Sequence, residues 1–399
     1  MKLKLAVLFG GKSVEHEISV ISALQAAAAL DREKYDVLPI YLTKENEFYI
    51  GDDVGKIEAY RDIPALLAKS QKVIPARAEG KAVLLRYPAK AFGKNVLAEL
   101  DCVLPIVHGT NTEDGTLQGL LRLMDVPFAG CDVAASAVGM DKYVQKCVLR
   151  DNGIPVLDCV CVHASDYDED AEQCEARMQA MGFPLIVKPV NLGSSVGITK
   201  ADDEAALRRA IELAFRFADR VLVEPAVQNL REINCSVLGD ASEARASVCE
   251  EPLNADEILS YENKYMSGGK SKASKGPAAT SGKAGMASLE RKIPADIPEE
   301  LAEKIQALAV KAFRCLDCNG VARIDFLLDG KTGELWLNEI NTIPGSLSFY
   351  LWEPTGLPYT KLLDEMIRLA FRRQRTKEDL NFSFDTNVLA NANFGGIKS

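Results

Sequence analysis

The stretch Val321 to Gly345, VARIDFLLDGKTGELWLNEINTIPG, reads as two apolar strands joined by a D-G-K-T-G turn. Alternation along the second strand puts Glu339 and Asn341 on one face, and a hairpin register brings Asp325 beside them. Three oxygen-bearing side chains converging between apolar strands suit a hard cation, Mg²⁺ first among them. A salt-bridge network is the alternative, because carboxylates in such strands are rarely left unpaired. Arg323, two residues before Asp325, shares that face and could stabilise an anionic transition state.

A second stretch, Pro184 to Ile198 (PLIVKPVNLGSSVGI), ends an apolar strand at Lys188 and follows it with a Gly-Ser-Ser loop. A lysine facing a loop rich in N–H and hydroxyl donors suits a phosphate chain. A plain hairpin with an exposed lysine fits the same residues. Neither G-x-x-x-x-G-K-[ST] nor G-x-G-x-x-G occurs, which excludes the two familiar nucleotide loops. A third stretch, VHGTNTEDGTLQGLL, places His108, Glu113 and Asp114 in a Gly-bounded loop after a buried strand, where parallel sheets carry their ligands. Glu15 opens the first helix, and a carboxylate there is already accounted for by the helix N-terminus.

Composition sets the outer limits. The chain has 399 residues, too many for one core, so two or three domains are expected. Apolar residues at 47% and charged residues at 26% put it in the ordinary globular class. A net charge of −10 argues against a general nucleic-acid binder but leaves room for a local anion site. The opening MKLKLAVLFGGKS is too short in its apolar run for a signal peptide, and no stretch approaches the roughly 18 apolar residues of a membrane span. A cytoplasmic protein with no membrane partner is expected. The ten cysteines are scattered in apolar segments, and Cys315-x-x-Cys318 lacks a second ligand pair, so they read as buried thiols.

Three patterned blocks divide the chain. The first, to position 129, alternates strand and helix signals and predicts a parallel sheet with crossover helices. Its strands are KLAVLF, DVLPIYLT and CVLPIVHG, and Ser13 is placed to cap the helix EISVISALQAAAAL. Weak strands in FYIG and KAVLLRY and a short helix at IPALLAKS fill the region from 45 to 100. The second block covers 130–223 and the third 224–375, with a tail at 376–399. Inside the third lies MSGGKSKASKGPAATSGKAG, Met266 to Gly285, which has too little apolar surface to order itself. Loops of that length are usually functional or disordered.

Taken in order, FGGKSVEHEISV, HGTNTEDGTLQG, PFAGCDVAASAVGMDK, IVKPVNLGSSVGI, YENKY, ARIDF and LNEINTIPG resemble the D-alanine–D-alanine ligases of the ATP-grasp superfamily, over roughly Leu5 to Arg373. The resemblance implies an α/β, three-domain ATP-grasp fold, with an N-terminal parallel-sheet domain followed by two α+β subdomains that clamp ATP between them. It implies ATP-dependent joining of two D-alanines through an acyl phosphate, for peptidoglycan precursor synthesis. ATP and Mg²⁺ (or Mn²⁺), two ions, are the implied cofactors, and the chain would be a homodimer. By the same resemblance Lys142, Lys188 and Lys264 contact ATP phosphates, Glu224 lies by the adenine, and Glu232 by the ribose. Asp325, Glu339 and Asn341 hold the metal. Glu15, Ser194 and Tyr265 bind the first D-alanine, with His108 nearby, and Arg323 with the Gly345 N–H forms an oxyanion hole. The loop at 264–290 becomes a flexible lid. Thr112 stands where many relatives have glycine and Pro225 where many have lysine. Tyr350 stands where the family commonly offers a serine to the second D-alanine. A D-alanine–D-serine ligase is therefore the first alternative. A D-lactate ligase is disfavoured because no histidine follows His163, and a silent ATP-binding protein because the implied catalytic residues are all present.

Overall fold

A computed structural model describes residues 2–194, 196–253 and 291–382. Lys264, Tyr265 and the expected lid lie outside the described residues. Three sheets organise the rest.

The first sheet has seven strands: β1 (Leu3–Gly10), β2 (Tyr35–Leu42), β3 (Phe48–Ile50), β4 (Gln71–Ala78), β5 (Lys81–Arg86), β6 (Val96–Glu99) and β7 (Cys102–Val107), in the order β6-β5-β4-β3-β2-β1-β7. Only β2, β1 and β7 are parallel. From β3 outward the pairing is antiparallel, so the expected parallel sheet carries an antiparallel extension. The weak strand signals at FYIG and KAVLLRY are β3 and β5, and IPALLAKS is helix α2 (Ile63–Lys69). Helix α1 (His16–Ala29) follows β1, and its run of alanines both favours helix and lets it pack closely. Ser13 does not cap it: Glu15 takes the N-cap position, and Ser13 Oγ instead accepts from the Glu15 N–H at 2.9 Å. Helix α3 (Thr116–Leu123) follows β7.

Helices α4 (Val133–Met140) and α5 (Lys142–Asp151) lead to the second sheet. It contains β8 (Val160–His163), β9 (Leu185–Pro189), β10 (Thr199–Ala201) and β11 (Arg220–Pro225), ordered β10-β9-β11-β8 and antiparallel at every described pairing. Helices α6 (Ala164–Glu169), α7 (Ala171–Gln179) and α8 (Glu204–Ala214) accompany it. Met178, Leu207 and Ile211 pack on Val187, Val221 and Val223 as its core.

The third sheet runs β14-β13-β12-β15-β16, from β12 (Leu230–Gly239), β13 (Ala244–Pro252), β14 (Arg291–Lys292), β15 (Gly320–Asp329) and β16 (Leu335–Asn341). Helix α9 (Glu299–Cys315) covers one face through Ile305, Ala309 and Phe313. Leu149 and Ile154 join that core, so α5 is anchored to the third sheet while its chain leads to the second. After β16 come α10 (Phe349–Trp352) and α11 (Tyr359–Glu378). Helix α11 turns back onto the first sheet, where Leu362, Leu363 and Met366 share the core of β1 and β7. Each such side chain contributes about 1.5–3 kcal/mol on burial. Arg373 fixes the junction by donating to the carbonyls of Phe128 and Gly130, both at 2.6 Å. The ends of the first and third sheets are thereby held beside each other.

Candidate active site

One cleft lies between the three sheets. Glu15, His108, Lys142, Ser194, Arg323, Glu339, Asn341 and Gly345, all singled out from sequence, line it together with Glu113 and Thr342. They come from segments up to 330 residues apart in number, between positions 15 and 345, and β-strand ends, a helix start and two loops bring them together.

Glu15 stands at the start of α1, where the unpaired N–H groups favour a negative charge. Its carboxylate accepts a short hydrogen bond from Ser194 Oγ, linking the first domain to the Gly-Ser-Ser loop. Two glycines make room for it. A Cβ on Gly193 would stand 2.7 Å from Glu15 Oε2, and one on Gly109, which also has φ +81°, would stand 2.8 Å away. Ser194 itself has φ 55°, a left-handed conformation held at the tip of the loop.

The third sheet supplies a row of polar groups. Its register sets Glu250 opposite Asn234, Asn234 opposite Asp325, and Asp325 opposite Glu339, across four strands on one face. Arg323 is likewise opposite Asn341. The hairpin read from sequence therefore has the register that brings the three oxygen donors together. Arg323 grips Asp325 with both Nε and Nη2, at 2.7 and 2.6 Å, and Asn341 Nδ2 donates to Asp325 at 3.0 Å. Burial nevertheless pushes the Asp325 carboxyl above its ordinary range, against the pull of Arg323. Among the described residues no three carboxylate, imidazole or thiolate groups form a cage on their own. Two carboxylates and one amide oxygen are a hard donor set that leaves positions for phosphate oxygens and water, and they fit Mg²⁺.

On the other side of the cleft, Lys142 Nζ donates to the Leu192 carbonyl at 2.6 Å and lies 3.5 Å from Glu339. The Asp141 side chain starts its helix by accepting from the N–H groups of Tyr143 and Val144. Lys188 is near but turned elsewhere. It forms a close ion pair with Glu224 and donates to Asn338 Oδ1 at 3.1 Å. Glu224 is only 1% exposed and holds a second cation, Lys146, at 3.0 Å. Burial raises the Glu224 carboxyl, but the two lysines outweigh it and bring it down to about 2. The exposed lysine that a plain hairpin would give is thus not what β9 presents.

Gly345 sits at the start of a tight turn in which Ser346, Leu347 and Ser348 have φ 51°, 52° and 50°. Three consecutive left-handed residues cost about 1–2 kcal/mol each. Contacts from α1 hold them: Ser22 Oγ accepts from the Ser346 N–H at 3.0 Å, and Ser346 Oγ donates to Gln25 at 2.8 Å. Buried His108 bridges the same parts, its Nδ1 to the Ile343 carbonyl at 2.9 Å and its Nε2 to Ser22 at 3.2 Å. Burial lowers it to about 4, so the imidazole is neutral near pH 7. Glu113 ties the loop after β7 to the same turn. It accepts from the N–H groups of Gly109 and Ile343, at 3.1 and 2.7 Å, and from Thr342 Oγ1 at 3.2 Å. Burial and the nearby Glu15 charge push it up to about 7.

Tyr350 does not line the cleft. Its buried hydroxyl donates to Glu250 at 3.3 Å, and the Arg291 guanidinium lies 4.2 Å above its ring. Glu232 shares the face of β12 that carries Asn234 and Ser236. Sequence reasoning missed Lys146, Asn234 and Glu250. A signal for the first was present: Lys146 follows Lys142 by four residues on an amphipathic helix and therefore shares its buried face.

Two antiparallel sheets facing a cleft, with a parallel-strand domain closing its end, define the three-domain ATP-grasp class of α/β ligases. The chain belongs to the D-alanine–D-alanine ligase family: the family model for the N-terminus matches residues 4–131 and that for the C-terminus residues 148–368. It is 40% identical over 385 residues to a D-alanine–D-alanine ligase of Thermoanaerobacter sp. (strain X514), covering 94% of this chain and 98% of that one. Among solved structures it resembles the D-alanine–D-alanine ligase of Coxiella burnetii, with TM-score 0.78 and 32% identity over 98% of this chain and 99% of that one. It also resembles the VanG D-Ala:D-Ser ligase of Enterococcus faecalis, with TM-score 0.74 and 30% identity over 93% and 100%.

Proposed function

We propose that the chain joins two D-alanines into D-alanyl-D-alanine, using ATP and passing through an acyl phosphate, in the supply of peptidoglycan precursors. The observation that carries this reading is the convergence of the Glu15–Ser194 pair with Arg323, Gly345 and Glu339 around one cleft. Glu15 receives the ammonium of the first D-alanine, and Ser194 orients the carboxylate–ammonium pair. The D-alanine carboxylate then lies toward Lys142 and the third-sheet carboxylates, which is the direction from which the γ-phosphate must be attacked. Lys142 and Lys188 offset the phosphoryl charge, and Glu224 and Glu232 take the adenine and ribose sides. Mg²⁺, as two ions held by Asp325, Glu339 and Asn341, would neutralise charge spreading over the phosphoryl oxygens.

When the second amine attacks the acyl phosphate, the carbonyl oxygen becomes negative. Arg323, whose Nη1 is not used in its grip on Asp325, and the Gly345 N–H would hold it. A donor of this kind is worth about 2.7–4 kcal/mol in the transition state. Neutral His108 keeps the Gly345 turn and α1 in register without adding charge. We propose further that the enzyme works in the cytoplasm, as a homodimer without nucleic-acid or membrane partners; ten free thiols suit a reducing compartment. Among the described residues no helix is long and apolar enough to cross a membrane.

A second reading, a D-alanine–D-serine ligase, is favoured by the likeness to VanG. Phosphate release from Mg²⁺-ATP, with products identified by mass, separates the two. D-alanine alone should yield the dipeptide. A mixed product made only when D-serine is added would move the assignment to the second reading, and no turnover with either would remove both.

A further inference from the structure

Helix α5 buries Lys142, Gln145, Lys146 and Leu149 on one face. Lys142 and Lys146 are one turn apart, yet their ammonium groups serve different places. Lys142 reaches the cleft, whereas Lys146 is 1% exposed, 3.0 Å from Glu224 Oε2 and 3.4 Å from the Leu157 carbonyl. The other Glu224 oxygen is held by Lys188. One buried carboxylate thus has two buried lysines, a group with a net charge of +1.

One lysine would suffice to neutralise Glu224, and a second buried ammonium is unfavourable beside a well-packed apolar side chain. Helix propensity does not ask for it either, because leucine or methionine would serve as well there. The excess charge has a use if one of the lysines must leave. Lys188 is the mobile candidate. Its ammonium already contacts Asn338, the neighbour of Glu339, whereas Lys146, among the described residues, contacts only the carboxylate and the Leu157 carbonyl.

We infer that Lys146 is a positioning residue, the standing counter-charge of Glu224 that lets Lys188 leave the carboxylate and turn to the nucleotide's phosphates. The inference rests on the nucleotide site proposed above. With Lys146 in place, departure of Lys188 leaves a neutral ion pair. Without it, departure would strand a bare carboxylate in the core, so Lys188 stays locked and the binding-competent fraction of the protein falls.

The test is calorimetric titration of the whole protein with ADP, together with thermal unfolding of the nucleotide-free forms. Lys146→Met should weaken ADP binding about tenfold or more, as expected when the competent state becomes rare. Lys146→Arg, which keeps the charge, should bind within about threefold of the parent. The deciding comparison is in a Glu224→Gln background, where no carboxylate holds Lys188. There Lys146→Met should change ADP affinity by no more than about threefold, a marked departure from additivity. Equal losses in both backgrounds, or a lowered unfolding temperature with unchanged ADP affinity, would overturn the inference and leave Lys146 a purely structural ion. If Lys146→Met does not fold, Lys146→Gln carries the same comparison. A parent protein that binds no ADP would overturn the nucleotide reading itself, a result distinct from a parent that binds and a variant that binds equally well.

Discussion

Two buried glutamates, Glu113 lining the cleft and Glu224 within the second sheet, behave in opposite ways. Glu113 has three hydrogen-bond donors and no cation, and lies near 7. Glu224 has two lysines and lies near 2. Asp325 falls between them in surroundings: one arginine clasps both its oxygens, and burial still raises it. At Glu113 neutral donors do not offset desolvation and the repulsion of Glu15. At Asp325 one arginine offsets desolvation and the repulsion of Glu339 and Glu250 incompletely, and at Glu224 two lysines reverse the balance. The incompletely balanced group is the one that faces the candidate metal site. An arriving divalent cation would complete its neutralisation, and that is a physical reason for the metal to bind there and not beside Glu224.

The largest effect should come from removing that incompletely balanced charge. Asp325→Asn should lower kcat by about three orders of magnitude, since both the metal and the grip on Arg323 are weakened. Phosphate release measures it, and an unchanged rate would break the contrast outright. Arg323→Ala should cost about 10²–10³ in kcat, the range for a lost oxyanion donor. Arg323→Lys should restore less than its charge alone suggests, because an ammonium cannot reproduce the two-nitrogen grip on Asp325.

Acceptor choice gives a smaller effect. Tyr350→Ser releases Glu250 and Arg291 behind the cleft and, acting through them and not as a cleft contact, should change the D-serine to D-alanine product ratio by up to about tenfold. Competition between the two acceptors, read by mass, checks it. An unaltered ratio would mean that Tyr350 has no part in selecting the acceptor.

The glutamates themselves sharpen the contrast through pH. Glu224 is depressed, so its contribution to stability is present above about 4.5 and is lost as pH falls toward 2. Glu113 is raised, so stability declines as pH rises from about 4.5 toward 7 and is level beyond. Glu224→Gln should flatten the acid side of the urea midpoint against pH, and Glu113→Gln the neutral side. Either slope is at most about 1.4 kcal/mol per pH unit. Two variants that flatten the same side would contradict the assignment of opposite signs.

Much of this site is legible in the sequence. Asp325, Glu339 and Asn341 follow from strand alternation and one hairpin turn, because a period of two and a short loop leave few registers. Glu15, Ser194 and Gly345 were marked by ordered motifs. What could not be read was pairing at long range. Nothing in β9 alone says that Lys188 meets Glu224 from β11, or that Lys146 reaches the same carboxylate from α5. Nor could local pattern show that β3 to β6 extend the first sheet antiparallel, since short strands pair by tertiary context. The strained turn at Ser346 to Ser348 was equally hidden, for none of these residues is glycine and the α1 contacts that hold it are more than 300 positions away, at Ser22 and Gln25.

In the proposed reaction a D-alanine carboxylate attacks the γ-phosphorus of ATP across this cleft. D-alanine labelled with ¹⁸O in its carboxylate, incubated with Mg²⁺-ATP and the enzyme, tests it directly. One labelled oxygen should appear in the phosphate released for each dipeptide formed. Dipeptide accompanied by unlabelled phosphate would contradict the acyl-phosphate route, whatever the product.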